Sequence, residues 1–81
     1  MEKGTENIAI AFGFVLREQR TKAGLSQEKL ALECGLDRTY ISLLERGQRQ
    51  PTLSTLFRLA KILDVDPSVI VQSIASRISD A

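Results

Sequence analysis

Arg38, Thr39, Tyr40, Ser42 and Arg46 crowd into the short run R-T-Y-I-S-L-L-E-R, where side chains with hydrogen-bonding groups alternate with apolar ones. On a helix at about 100° per residue, Arg38, Thr39, Ser42 and Arg46 share one side, and Tyr40, Ile41 and Leu44 share the other. The first side holds the chemistry for reading nucleic-acid bases by their edges. A guanidinium can donate two bonds to guanine, hydroxyls can donate or accept, and a threonine methyl can meet thymine. Leu43 also leans outward there, where it can touch a thymine methyl, face a partner subunit, or stand as an ordinary surface leucine. A second set of residues suits phosphate oxygens. Gln27 stands at a helix start beside backbone amides that favour an anion, and Arg17, Ser26, Arg46, Arg49, Thr52 and Ser54 add cationic or hydroxyl donors. For Thr52 and Ser54, helix capping is an equally good account.

Two short helical repeats position these groups, one from Ser26 to about Cys34 and one from Asp37 to about Arg46, with Gly35 and Leu36 between them. Gly24 suits a left-handed turn ending the preceding helix, Ser26 caps the next, and Glu28 in its first turn complements the helix dipole. Gly35 and Asp37 repeat the same stop-and-start device. Ala31 is small where the two helices approach. Three further helices are expected, over Ile8 to Ala23, Leu53 to Leu63 and Pro67 to Ile78, and no segment reads as a strand. The chain is therefore all-α. Thr52 caps the fourth helix, whose buried stripe is expected to comprise Leu53, Leu56, Phe57, Ala60 and Leu63. Asp66 as cap and Pro67 at the first helical position open the fifth. Residues 1–7 are polar and read as a flexible N-terminus, leaving residues 8–81 as one compact domain.

The pieces L-S-Q-E-K-L-A, then C-G-L-D-R-T-Y-I-S-L-L-E-R-G-Q-R-Q-P, then T-L-S-T-L-F-R-L-A-K-I-L-D-V-D-P resemble the helix-turn-helix of phage-repressor-type prokaryotic regulators. The resemblance runs roughly from Phe12 to Val69. It implies a five-helix, lambda-repressor-like fold whose second and third helices form the helix-turn-helix, with the third used for recognition of double-stranded DNA. The run D-R-T-Y-I-S-L-L-E-R-G is similar to the controller proteins of restriction-modification systems. In those, R-T-Y faces the operator, which implies a base-reading role for Tyr40 beside Arg38, Thr39 and Ser42. The resemblance also carries G-Q-R-Q-P-T-L-S over as a second phosphate clamp after the recognition helix. Glu45 falls near the edge of the core stripe, where an unpaired carboxylate would be costly. The resemblance points to Arg20 as its structural salt-bridge partner.

Composition sets limits on the remaining functions. Eighty-one residues with 43% hydrophobic content form one core, not two. A core of that size gains stability from dimerisation, and Val69, Ile70, Ile74 and Ile78 recur at helical spacing as a dimer seam, with Leu63 and Val65 beside it. The bland alternative is that these residues only close the core. The net charge of +1 is low for a nucleic-acid binder, but Arg38, Arg46 and Arg49 gather on the recognition side while Asp64, Asp66 and Asp80 lie in the C-terminal part. The chain has no histidine, its one cysteine has no catalytic partner, and no glycine-rich phosphate loop occurs, so an enzyme is not expected. Cys34 reads as a small buried hydrophobe, and no cofactor, metal or small-molecule ligand is implied. No apolar run is long enough to span a membrane and no signal peptide is seen, so a cytoplasmic protein is expected. The expected partners are double-stranded DNA and a second copy of the chain. An alternative of another class is an antitoxin-like interaction module that holds a different protein by its apolar C-terminal helix.

Overall fold

Five α-helices follow one another along the chain: α1 (Glu2–Lys22), α2 (Gln27–Cys34), α3 (Arg38–Glu45), α4 (Leu53–Leu63) and α5 (Pro67–Ile78). The computed structural model describes residues 2–78, with side chains from Ile8 onward, and contains no strand among them. Asp80 and the side chains of residues 1–7 lie outside the described residues. Helix α1 reaches back to Glu2, well before the Ile8 start expected from the apolar repeat. Hydrophobic periodicity marks only the part of a helix that touches a core, so a polar extension gives no such signal.

Most of the helix ends have a local cause. Ser26 Oγ accepts from the Lys29 amide at 3.0 Å, Asp37 Oδ1 from the Thr39 amide at 2.8 Å, and Thr52 Oγ1 from the Thr55 amide at 3.1 Å. These side chains satisfy first-turn amides that have no partner within their helices. Asp66 Oδ1 accepts from both the amide and the hydroxyl of Ser68, which holds its carboxyl below the usual carboxylate range. At the other ends, Gly35 takes φ 68°, and the amides of Gly35 and Leu36 close the last turn of α2 onto Leu32 and Ala31. Asp64 makes the same left-handed ending on α4 at φ 61°, with a side chain where glycine is usual.

Helix α1 packs on α3 and α5, and α2 packs on α3 and α4. Phe12, Val15 and Leu16 of α1 meet Leu30 and Ala31 of α2, Ile41 and Leu44 of α3, Leu59 and Leu63 of α4, and Ile70 of α5 in one core. Each such side chain stabilises the fold by roughly 1.5–3 kcal/mol through burial. The stripe of α4 differs from expectation. Leu59 is buried, whereas Leu53 and Phe57 are 74% and 59% exposed. The core side of α4 is rotated from the expected one by roughly 50° at 100° per residue, because this helix is apolar over a wider arc than the core requires. No described helix is long and apolar enough to cross a membrane.

Candidate nucleic-acid interface

Helix α3 divides as its sequence demands. Ile41 and Leu44 are fully buried, Arg38 and Thr39 are exposed, and Ser42 and Leu43 are half-buried at the margin. Tyr40 is half-buried with its ring packed against the core, so its contribution to an outer surface is limited to the phenol edge. Arg46 ends the helix, exposed, with Nε directed at the Ser42 carbonyl at 3.4 Å. The outer face of α3 thus offers a guanidinium, two hydroxyls and a second guanidinium at its far end.

The C-terminal end of α3 is anchored by Glu45, whose side chain is fully buried. Its Oε2 accepts from Arg20 Nε at 2.6 Å, and its Oε1 accepts from Arg20 Nη2 at 3.0 Å, Gln27 Nε2 at 2.9 Å and Arg17 Nε at 3.4 Å. Arg20 also donates to the Leu25 carbonyl at 2.8 Å, which ties the turn before α2 into the same cluster. Burial pushes the Glu45 carboxyl up. The hydrogen bonds from Arg20 and Gln27, the Arg20 charge and the Arg17 contact outweigh it and leave the group below the usual carboxylate range. The hydrogen bond to Glu45 in turn holds the Arg20 guanidinium more firmly protonated. The ion pair joins α1 to α3 in the way the resemblance implies. Gln27 and Arg17, expected only to grip phosphate, are also drawn into this cluster.

Helix α1 can lie this close to α3 because position 13 is glycine. A Cβ there would stand 2.6 Å from the Glu45 carbonyl oxygen and 2.7 Å from that of Leu44. Gly47, just past α3, is likewise in contact range of Ile10, its Cβ position lying 3.0 Å from the Ile10 backbone. Sequence reasoning passed over Gly13. The available signal was a lone glycine inside the apolar stretch Ile8–Leu16, between Phe12 and Phe14, where glycine otherwise costs about 1 kcal/mol relative to alanine.

The remaining polar residues are placed around α3. Ser26 and Thr52 use their hydroxyl oxygens as caps, and Thr52 also donates to Thr55 Oγ1 at 3.2 Å. Arg49, Thr52 and Ser54 are exposed on the loop after α3 and the first turn of α4. Arg58 of α4 donates to the Cys34 carbonyl at 3.3 Å and so holds the end of α2, while burial pushes the Cys34 thiol up. Arg77 reaches back to α1, 3.6 Å from Glu18 and 5.3 Å above the Phe14 ring. The expected dimer seam is corrected in part. Leu63 and Ile70 are only 5% and 1% exposed and belong to the core of one subunit, which takes them from any partner. Val65 and Ile74 are half-buried against that core, and Val69 is exposed.

The helix-turn-helix family matches residues 16–70, from the end of α1 into α5. Among curated relatives, the chain is 48% identical over 64 residues to the control protein C.BamHI of Bacillus amyloliquefaciens, covering 78% of this chain and 79% of that protein. Its fold is similar to that of the restriction-modification controller protein C.AhdI from Aeromonas hydrophila, with a TM-score of 0.74 and 48% identity over 76% of this chain and 94% of that one. It is also similar to the restriction-modification controller protein C.Esp1396I, solved as a tetramer with its natural 35 base-pair operator, with a TM-score of 0.77 and 35% identity over 88% of this chain and 93% of that one. With α2, the Gly35 turn and α3 built as described and the match spanning most of the chain, the protein belongs to the helix-turn-helix family.

Proposed function

We propose that this chain is a sequence-specific transcriptional regulator that binds double-stranded DNA as a homodimer on a two-fold related operator, as a restriction-modification controller. The observation that carries the reading is α3 itself. Its apolar side is locked into the core and its C-terminal end is fixed by Glu45, while Arg38, Thr39 and Ser42 face away from the core. A rigid helix presenting such groups can enter the major groove and distinguish base pairs. Arg38, Thr39 and Ser42 read base edges, with the Tyr40 phenol at the margin. Arg17, Ser26, Gln27, Arg46, Arg49, Thr52 and Ser54 set register on the phosphates. The relative bound to its operator as a tetramer supports both the DNA partner and association of subunits.

The subunit contact is assigned to Val69, with Val65 and Ile74 at its edge, while Leu63 and Ile70 act from behind by fixing α5. Two recognition helices are then held about 34–36 Å apart, the span of one helical turn between half-sites. The protein acts in the cytoplasm and performs no catalytic step. Fluorescence anisotropy against the DNA upstream of its own gene and a shuffled duplex, across a salt series, tests the reading. Preference for the upstream duplex that survives rising salt is the expected result. Arg38→Ala should cost about 1–3 kcal/mol at one base position, and Arg49→Ala should weaken all sequences alike. Equal losses on every sequence for Arg38→Ala would remove it from the reading set.

A further inference from the structure

Three side chains converge on the Glu45 carboxylate, and they do not meet it in the same way. Arg20 is spent inward: it bonds both carboxylate oxygens and the Leu25 carbonyl, and its side chain is 15% exposed. Arg17 brings only Nε to Glu45, at 3.4 Å, and its side chain stays 61% exposed. Gln27 donates from Nε2 at 2.9 Å, and an amide NH2 carries a second hydrogen. Two guanidinium groups against one carboxylate also leave the cluster cationic. Arg20 is therefore a strut, whereas Arg17 and Gln27 are held by one donor each with further donors to spare, next to the first turn of α2.

We propose that Glu45 is the positioning residue of the phosphate grip. From inside the core at the end of α3, it sets the orientation of Arg17 on α1 and Gln27 on α2, so that the groups holding the DNA backbone are registered to the helix that reads the bases. Long side chains ordered during folding do not have to be ordered again on binding, which removes part of the entropic cost of association. One buried carboxylate therefore couples two phosphate donors on different helices to the recognition helix. The proposal rests on the DNA-binding reading above and adds a role that a purely structural α1–α3 bridge would not have.

The test is anisotropy titration of the full chain with a duplex that the wild-type protein selects from a random pool and with its shuffled counterpart. Arg17→Ala, Gln27→Ala, Glu45→Gln and the pairs Glu45→Gln/Arg17→Ala and Glu45→Gln/Gln27→Ala are compared, with the folded fraction of each fixed by circular dichroism. Each single change is expected to lower affinity about tenfold on both duplexes, as loss of a charge-assisted bond would. Each pair is expected to lose far less than the product of its members, because Glu45 acts through the side chain that the second change removes. Losses that multiply to about a hundredfold, or a Glu45→Gln protein that melts earlier yet binds normally when folded, overturn the positioning role. If Glu45→Gln does not fold, Glu45→Asp, which keeps a carboxylate for Arg20 but draws it back from Arg17 and Gln27, takes its place in both pairs with the same expected and overturning results. Selection that yields no preferred duplex overturns the DNA-binding reading and this one with it, whereas a clear preference with multiplying losses overturns only this one.

Discussion

The two ends of the helix array solve the same packing problem with opposite materials. Where α1, α2 and α3 meet, the joint is polar: a buried carboxylate accepts from Arg17, Arg20 and Gln27. Where α4 and α5 close the other side, the joint is apolar, built from Leu59, Leu63 and Ile70, with Phe57 and Val69 left facing solvent. Directional charge-assisted bonds permit one arrangement of three helices, which the proposed DNA-matching surface requires. Apolar burial is non-directional and tolerates surplus, so the α4–α5 side can hold its own subunit and still offer side chains to a second copy.

Glu45→Ala breaks that comparison most severely. It leaves the Arg20 charge without its carboxylate and should cost about 3–5 kcal/mol of stability, measured by urea unfolding. A cost below about 1 kcal/mol would mean that the polar joint is dispensable. Ile70→Ala on the apolar side should cost about 2–4 kcal/mol, because Ile70 is 1% exposed, whereas its neighbour Val69→Ala should change subunit stability by less than about 0.5 kcal/mol and instead weaken self-association in sedimentation. Similar stability losses for the two would erase the distinction between core and partner surface. Gly13→Ala should destabilise by about 1–3 kcal/mol despite its better helix propensity, since the new methyl meets carbonyl oxygens of α3 at 2.6 and 2.7 Å.

Acid sharpens the comparison further. The folded-state pKa of Glu45 is depressed, so its contribution is fully present above the unfolded carboxylate value of about 4.3 and is lost as pH falls through the lower folded value. Thermal midpoints of the wild type should drop below about pH 4, and Glu45→Gln should flatten that part of the profile. Unchanged acid dependence in Glu45→Gln would place the sensitivity elsewhere. The smallest expected effect separates the two left-handed helix ends. Asp64→Gly should be neutral or stabilising by a few tenths of a kcal/mol, whereas Gly35→Ala at φ 68° should cost about 1–2 kcal/mol, both read as shifts in unfolding midpoint.

Much of this arrangement was legible in the residues. The caps Ser26, Asp37 and Thr52 and the stop at Gly35 are local, because each depends on side-chain and backbone groups within a few positions; α2, α3 and α4 begin and end, and α5 begins, within a residue of where those signals place them. The division of α3 into an outer face and a buried one also follows from periodicity alone. Helix α4 shows where that logic fails: with leucine, isoleucine or phenylalanine on most sides, the pattern admits several core faces, and only contact with α2 and α5 selects the one through Leu59.

The sequence by itself determined that five helices form, where they stop, and which side of α3 carries hydrogen-bonding groups, because turns, caps and periodicity are short-range. Tertiary structure alone decided that Gly13 is a contact, that Ile70 is core while Val69 is exposed, and that Arg17 and Gln27 join Arg20 on one carboxylate. Those facts join residues far apart in the chain, and no local periodicity encodes which of several suitable partners a buried charge will meet.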